Sequence, residues 1–302
     1  MEAEKVTSKP ISPRLSLIHE ISVLQKNLNN HRTWRDSVIL VPTMGALHNG
    51  HLSLVREALN QGSTLVVVSI FVNPLQFGVG EDLDKYPRTL DDDLQKLGAL
   101  AEELDLAELV VFVPSVEEMY PDGASQTTVH AGQVSTMFEG ATRPGHFDGM
   151  LTVVLKLLNI VRPDGAVFGQ KDAQQLHLIR QMVRDFNLRG DILAADIVRE
   201  ADGLALSSRN RYLSDDERAL ALTLNRALQA VAKSSAETVS ERLAAGLELF
   251  KNQDGITLDY LVAVEPQTFM PLPDDYRGSA VILVAAKVGQ TRLIDNLIQD
   301  FV

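Results

Sequence analysis

Short apolar segments alternate with amphipathic segments along the first two thirds of the chain. Apolar runs rich in β-branched residues occupy residues 37–41, 64–72, 109–113, 166–168 and 191–198. Such runs are typical of strands covered on both faces, as in a parallel sheet. Between them, apolar residues at helical spacing predict helices over residues 52–59, 89–104, 150–161 and 173–186.

The beginning of the chain shows a different pattern. Residues 1–14 are mostly polar and predict a frayed tail. Residues 15–28 carry apolar side chains at helical spacing and predict a first helix ahead of the first strand.

Strands that alternate with helices predict an α/β fold, a Rossmann-like parallel sheet with helices on both faces. After Val198 the pattern changes to two helices followed by strands, which predicts a smaller C-terminal α+β domain. We therefore predict one domain over residues 1–198 and a second over residues 199–302.

Segments that carry polar side chains lie at or just after the ends of four predicted strands. Ligands of such sheets bind beyond the carboxyl ends of the strands, so we expect these segments to meet at one edge. They are residues 43–51, 73–76, 169–172 and 207–211.

Two histidines, His48 and His51, lie where the first strand leads into a helix. On a helix their spacing puts both rings on one face near the N-terminus, where backbone N–H groups and a partial positive charge suit an anion. A site of this kind suits a phosphate whose negative charge grows during reaction. Two alternatives stay open: exposed surface histidines, and a zinc site, although neither a cysteine nor a nearby third ligand accompanies the pair.

Two further segments carry groups that suit phosphate. Lys171 lies between Gly169 and Asp172 at a predicted helix start, which favours a phosphate ligand over a solvated charge. Asp172 either caps that helix or bonds a ribose hydroxyl, and both roles can coexist. The run Ser207-Ser208-Arg209 offers two hydroxyls and a guanidinium, a suitable phosphate clamp, although many surface loops look the same.

The helix predicted from Thr89 begins with three aspartates, Asp91 to Asp93. Thr89 and Asp92 predict a capping box. Carboxylates of this run could help to hold Mg²⁺ on a nucleotide, but acidic residues also favour a first helical turn for structural reasons.

Neutral hydrogen-bonding side chains complete the candidate site. Asn73, Gln76 and Gln175 are expected to face the pocket, where they suit a hydroxyl or carboxylate of a substrate. No nucleophile with an activating base stands out, so the chemistry is expected to be positioning and charge stabilisation at a phosphoryl centre.

Composition narrows the class of protein. The 302 residues include 28 basic and 40 acidic side chains, and the net charge of −12 argues against nucleic acids and acidic membranes as partners. Cysteine is absent, which excludes disulfides and thiolate chemistry. The first residues lack the apolar core of a secretory signal, and residues 150–161 are too short and too interrupted by Lys156 to cross a bilayer. These features predict a cytoplasmic protein.

The motifs resemble a known family. The sequence His48-Asn49-Gly50-His51 resembles the His-x-Gly-His signature of the nucleotidyltransferase superfamily that includes class I aminoacyl-tRNA synthetases, and residues 207–209 resemble its second phosphate-binding loop. From residue 38 onward, six blocks resemble the pantothenate synthetase family in order. They are residues 42–48, 69–77, 86–88, 143–149, 168–172 and 202–210.

The resemblance implies a ligase that joins pantoate to β-alanine with ATP and Mg²⁺. Pantoate's carboxylate would attack the α-phosphorus of ATP, and pantoyl adenylate would form as pyrophosphate leaves. The amine of β-alanine would then attack the acyl carbon, and AMP would leave. The resemblance also implies a homodimer, a first domain that binds nucleotide and pantoate, and a smaller domain that acts as a lid over the cleft.

Roles for individual residues follow from the same resemblance. It implies that His48, His51 and Lys171 are catalytic and that Asp92 lies near the metal. ATP would be bound by Met44, Gly45, His48, His51, Phe168, Gly169, Lys171, Asp172, Val198, Ser207, Ser208 and Arg209. Pantoate would be bound by Pro42, Met44, Gln76 and Gln175. One departure is Lys96, which stands where the family pattern has a glutamine.

Two other functions compete with this interpretation. A different nucleotidyltransferase would need extra cationic residues for a phosphorylated acceptor, where this chain has glutamines. A non-catalytic nucleotide-sensing module could use the same fold. For an enzyme, we also expect the glycine-bearing loop at residues 77–84 to order over the pocket and keep water from the acyl adenylate.

Overall fold

The computed structural model describes residues 9–12, 14–31, 37–78, 83, 86–106 and 108–302. The chain divides into two compact units. The first consists of Met1–Gly169 with Leu178–Ala195, and the second of Gln170–His177 with Asp196–Val302. The segment that carries Lys171 therefore belongs to the second unit. No helix in the described part of the chain is both long and apolar enough to cross a bilayer.

A mostly parallel sheet forms the centre of the first unit. Its strands are β1 (Lys9–Ser12), β2 (Leu15–Ile18), β3 (Val38–Thr43), β4 (Leu65–Ile70), β5 (Leu109–Phe112), β6 (Gly165–Gly169) and β7 (Asp191–Ala195). They lie in the order β1-β2-β5-β4-β3-β6-β7, and only β1 runs antiparallel to its neighbour. This sheet confirms the predicted α/β class.

Helices follow or precede most of these strands. They are α1 (Ile21–His31), α2 (Asn49–Asn60), α3 (Leu90–Glu103), α4 (Val116–Met119), α5 (Glu139–Thr142), α6 (His146–Val161) and α7 (Ala173–Asp185). On one face of the sheet, Val41 and Val68 pack in a cluster with Val55 of α2 and Leu97 of α3. Alternate residues point to the other face and are equally buried, so the sheet is covered on both sides.

The prediction for the start of the chain is wrong in two respects. Residues 15–18 form strand β2 rather than helix, paired with β5 from Leu15 opposite Leu109 to Ile18 opposite Phe112. A short apolar run fits strand and helix alike, and a partner far along the chain decides between them. Within the predicted tail, Lys9–Ser12 forms β1 against β2, while residues 1–8 and 13 lie outside the described residues.

The second unit is built on a three-stranded antiparallel sheet. Its elements are the helices α8 (Asp215–Lys233) and α9 (Val239–Leu247) and the strands β8 (Ile256–Val264), β9 (Gly278–Val288) and β10 (Thr291–Phe301). The central strand is β9, and its Ile282 and Val284 are 0% exposed in a cluster with Leu228 of α8. This arrangement confirms the predicted small α+β module.

One glycine allows a close approach that positions a candidate site residue. Gly149 of α6 lies against the short 3-10 helix Pro74–Gln76, and a Cβ there would lie 2.0 Å from the Leu75 carbonyl oxygen and 2.7 Å from the Gln76 nitrogen. No side chain fits at this contact unless the helix moves away. Gly149 is therefore needed to bring α6 against the turn that carries Gln76.

We expect the substitution Gly149→Ala to lower the free energy of unfolding by about 1–3 kcal/mol, because it overpacks a contact with rigid backbone. Urea unfolding measures the change. The matched control is Gly98→Ala in α3, where a Cβ meets no atom of the described residues within 4 Å. That substitution should stabilise the helix by up to about 1 kcal/mol. Equal stability of the two variants would contradict the close approach.

Candidate active site

The two histidines cap the first turn of α2 with their own rings. His48 is the N-cap residue, and its Nδ1 accepts a hydrogen bond from the Gly50 N–H at 3.1 Å. Nδ1 of His51 accepts in turn from the His48 N–H at 3.3 Å. The rings lie on the same side, as expected, with centroids 4.1 Å apart. The N–H groups of His48 and Gly50, at the helix N-terminus where an anion was expected, therefore donate to the imidazoles instead.

This capping fixes which ring nitrogen carries the proton. A nitrogen that accepts a hydrogen bond from a backbone N–H holds no proton itself, so each neutral ring carries its proton on Nε2. Each ring is thus a neutral Nε2–H donor, oriented by the helix it caps. Two such donors, on rings whose centroids lie 4.1 Å apart, suit the oxygens of a phosphate.

A buried carboxylate holds the loop before His48. Asp93 of α3 is 0% exposed, and its oxygens accept from the N–H groups of Ala46 at 2.9 Å and Leu47 at 2.7 Å. The loop reaches this carboxylate through two successive residues with positive φ, Gly45 at 81° and Ala46 at 51°. A Cβ on Gly45 would lie 3.1 Å from the Asp93 Oδ2, so the position also demands a small residue.

No motif in the sequence distinguishes Asp93 from Asp91 and Asp92. Its signal is the spacing with Leu97 and Leu100, which puts it on the buried face of α3. The predicted capping box is wrong, because Thr89 makes no side-chain cap bond and instead donates to Asp93 Oδ1 at 3.3 Å.

Asp92 faces away from this buried cluster and pairs with Lys96. Lys96 Nζ lies 2.6 Å from Asp92 Oδ2 and donates to the Leu47 carbonyl at 2.7 Å. Lys96, which departs from the family pattern, therefore supports the same loop as Asp93, the one that leads to His48. No group of three or more potential metal-binding side chains occurs among the described residues. Asp92 would supply one carboxylate to Mg²⁺ after leaving Lys96, and the other ligands of the ion would come from groups other than this side chain.

Met44 and Gln76, both predicted to bind pantoate, lie in contact. Met44 belongs to the loop at residues 44–48 that leads to His48, called the histidine loop below. The Gln76 Nε2 lies 3.2 Å from the Met44 Sδ, and Gln76 is 6% exposed. Its amide is held by Asn73, whose Nδ2 donates to Gln76 Oε1 at 3.2 Å and to the Gly149 carbonyl at 3.1 Å. Asn73 is thus a support for Gln76, which corrects the expectation that it faces the pocket.

Tyr120 completes this support. Its hydroxyl donates to Asn73 Oδ1 at 2.8 Å, and burial raises the pKa of Tyr120 to about 12. The hydroxyl therefore keeps its proton at neutral pH and remains a donor. Sequence reasoning missed Tyr120, because nothing local to it marks a partner 47 residues away.

The block at residues 143–149 fixes the backbone of Gln76. His146 is 9% exposed, and its Nδ1 donates to the Gln76 carbonyl at 2.9 Å. Its other ring nitrogen, Nε2, then accepts from Arg143 Nη1 at 3.1 Å. Together with the close approach of Gly149, these contacts fix the backbone of Gln76.

In the second unit, three predicted phosphate ligands meet around one pocket. Lys171, Ser207 and Arg209 line one pocket, together with Arg292, Asn210 and Asp295. Ser207 is the N-cap of the 3-10 helix Ser208–Tyr212 and accepts from the Arg209 N–H at 3.2 Å. Arg292 pairs with Asp259 at 2.6 Å and Asp295 with Arg199 at 2.7 Å, so Lys171 and Arg209 are the charges that bring a positive potential to this pocket in a protein of net charge −12.

The other predicted residues are placed as follows. Pro42 is in β3 and pairs with Ser69, while Phe168 and Gly169 end β6. In the second unit, the carbonyl of Asp172 accepts from Leu176 in the first turn of α7, where Gln175 is half-buried. The Val198 carbonyl accepts from the Leu206 N–H at 2.9 Å, and Ser208 begins the 3-10 helix without lining the pocket. Of the proposed lid loop, residues 79–82 and 84 lie outside the described residues.

We expect Asp93→Asn to lower the free energy of unfolding by about 1.5–3 kcal/mol, because an amide nitrogen would face one of two buried N–H donors. The matched control is Asp91→Asn on the exposed side of the same helix, which should change stability by less than about 0.5 kcal/mol. Urea unfolding of both variants measures the difference. Equal losses would mean that the carboxylate does not hold the loop.

Comparison with known proteins now identifies the family. A family model described as pantoate-beta-alanine ligase matches residues 16–298. A pantothenate synthetase of Leifsonia xyli subsp. xyli (strain CTCB07) is 57% identical over 259 residues, which cover 86% of this chain and 88% of that protein. One of Nocardia farcinica (strain IFM 10152) is 53% identical over 284 residues, covering 94% and 86%.

Solved structures agree. A pantothenate synthetase from Thermus thermophilus is similar with a TM-score of 0.82 and 44% identity, covering 93% of this chain and 98% of that one. A pantoate-beta-alanine ligase from Francisella tularensis, complexed with beta-gamma ATP and beta-alanine, has a TM-score of 0.72 and 34% identity, covering 93% and 97%. The histidine loop, the Gln76 support and the Lys171 pocket all lie within the matched residues, and this chain belongs to the pantoate–β-alanine ligase family.

Proposed function

We propose that this enzyme joins pantoate to β-alanine in two steps at the expense of ATP. In the first, a carboxylate oxygen of pantoate bonds to the α-phosphorus, the bond from that phosphorus to the bridging oxygen breaks, and pyrophosphate leaves. In the second, the β-alanine nitrogen bonds to the acyl carbon, the bond to AMP breaks, and the amine loses a proton. Family membership and a cationic pocket support this reaction.

His48 and His51 are proposed to stabilise the adenylation transition state. Their Nε2–H groups would donate to phosphate oxygens whose negative charge grows as the new bond forms. Because both rings are fixed by backbone hydrogen bonds, they would need little reorganisation during the reaction. Met44 and Gly45 of the same loop would contact the nucleotide.

Lys171, Ser207 and Arg209 are proposed to bind the other phosphate oxygens. Lys171 would bridge oxygens near the reacting phosphorus, and the hydroxyl and guanidinium would hold the leaving pyrophosphate, with Ser208 beside them. The support for this assignment is that the first three side chains line one pocket.

Pantoate is proposed to bind beside Met44 and Pro42, with its hydroxyls and carboxylate on Gln76 and Gln175. The support is the fixed amide of Gln76, since a held donor and acceptor can distinguish a hydroxyl acid from an apolar acid. For the nucleoside, Gly169 and Asp172 would hold the ribose, and the backbone near Phe168 and Val198 would hold adenine.

We also propose that ATP binds together with Mg²⁺, that Asp92 is the carboxylate nearest the ion, and that the enzyme is a cytoplasmic homodimer. These proposals rest on the family resemblance. Mg²⁺ would supply charge neutralisation on the phosphates. Asp92 would have to leave its ion pair with Lys96 before it could contact the ion.

One observation carries the proposed function: Lys171, Ser207 and Arg209, distant in sequence, line one pocket in a chain of this ligase family. A product assay tests it, with ATP, pantoate and β-alanine together and with each omitted in turn. We expect AMP, pyrophosphate and pantothenate when all three are present, and no pantothenate when any one is missing. Release of ADP in place of AMP would refute the proposal.

Replacement of Lys171 by alanine should slow adenylation by two powers of ten or more, since loss of a charge contact in the transition state costs about 3 kcal/mol or more. Pyrophosphate exchange with pantoate and ATP measures this step. The control is Lys287→Ala, an exposed lysine of β9 in the same unit, which should leave the rate unchanged. A wild-type rate in Lys171→Ala with a normal Tm would remove Lys171 from the mechanism.

A further inference from the structure

Two adjacent residues of β10 contact both segments that deliver the predicted phosphate ligands. Asn296 is 1% exposed, and its Nδ2 donates to the carbonyls of Gln170 at 2.9 Å and Lys171 at 2.8 Å. One amide nitrogen thus uses both of its protons on the backbone of the Lys171 segment. The position of Lys171 in the second unit is thereby tied to β10.

The other half of the Asn296 amide indicates what this residue is for. Its Oδ1 is buried without a hydrogen-bond partner among the described residues. Burial of an unpaired oxygen costs free energy, so stability of the sheet alone would favour an apolar side chain here. The two donors of Nδ2 explain why an asparagine occupies the position.

Asp295 makes the matching contact to the other segment. It is 4% exposed, and its carboxylate pairs with both terminal nitrogens of Arg199, at 2.7 and 2.9 Å. Arg199 pairs with Ala205 in the hairpin that leads into Ser207, and it also donates to the Gly203 carbonyl at 3.1 Å. The hairpin that delivers Ser207 and Arg209 is therefore also tied to β10.

The two contacts are joined to each other. The Asp295 Oδ1 accepts the N–H of Asn296 at 2.8 Å, and Asp295 itself lines the pocket with Lys171 and Arg209. The Lys171 segment and the Ser207–Arg209 segment are thus both held by two adjacent residues of β10, a strand that is paired along its whole length with β9. A shift of either segment would break hydrogen bonds to the buried side chains of Asp295 or Asn296.

We propose that Asp295 and Asn296 are positioning residues that hold Lys171 and the Ser207–Arg209 segment in one arrangement for ATP phosphates. This inference rests on the proposed function. Neither side chain is required to touch the nucleotide. Their effect is geometric, and a misplacement of about 1 Å in a reacting group can cost about 10²-fold in rate.

The test compares Asn296→Asp with a matched control. The variant keeps the shape of the side chain but replaces the two N–H donors by an oxygen that faces two carbonyls. The control is Thr223→Val in α8 of the same unit, which removes a buried hydrogen bond to Gln253. Tm, kcat and the KM values for ATP and pantoate are measured for both.

We expect Asn296→Asp to lower kcat by about 10²-fold and to raise the KM for ATP, with the KM for pantoate unchanged. Thr223→Val should lower the Tm and leave the kinetic constants as in the wild type. If Asn296→Asp does not fold, Arg199→Lys, which breaks the double contact with Asp295, should give the same split between the two KM values. Variants that lose only stability, as the control does, would overturn the positioning role.

Failure of the proposed function gives a different result. In that case the wild type itself forms no pantothenate, and ATP binding is then measured by calorimetry. Weaker ATP binding in Asn296→Asp but not in Thr223→Val would still support the positioning role, whereas equal binding in all three proteins would refute it.

Discussion

The geometry of the candidate site depends on one buried charge, the carboxylate of Asp93. A buried carboxylate is tolerated only when hydrogen bonds replace its hydration, and the N–H groups of Ala46 and Leu47 provide them. The same N–H groups would otherwise lie buried without acceptors. Each side of the contact therefore needs the other, and together they stabilise a loop with two consecutive positive φ angles. This loop determines where α2 begins, and with it the place of His48.

The rest of the site follows the same physical rule. Side chains proposed to meet substrate are held by buried groups that do not meet it: Gln76 by Asn73 and Tyr120, and the Lys171 backbone by Asn296. Such support reduces the reorganisation required when charge develops in a transition state. It also gives a reason for the burial of Asn73 and Asn296, each 1% exposed, whose hydrogen bonds go to Gln76 and to the backbone of Lys171.

Much of this could be predicted from the sequence, because it depends on local patterns. The apolar runs predicted the parallel sheet, and the polar segments at strand ends singled out Lys171, Ser207 and Arg209, which the structure places around one pocket. What failed depends on partners distant in sequence. Strand β2 forms because β5 pairs with it. Asp93 accepts hydrogen bonds from the N–H groups of Ala46 and Leu47, which lie more than 40 residues earlier in the chain. The helical spacing predicts that Asp93 is buried, but it does not show which N–H groups donate hydrogen bonds to its carboxylate.

The central claim is that both histidines are neutral Nε2–H donors, fixed by the loop that Asp93 holds. Two-bond ¹H–¹⁵N correlation spectra of the protein labelled with ¹⁵N-histidine measure the proton position in each ring, and His48→Gln and His51→Gln assign the signals. The account predicts an unprotonated Nδ1 and a protonated Nε2 in both rings at neutral pH. A proton on Nδ1 of either ring, in the other tautomer or in an imidazolium, would contradict it.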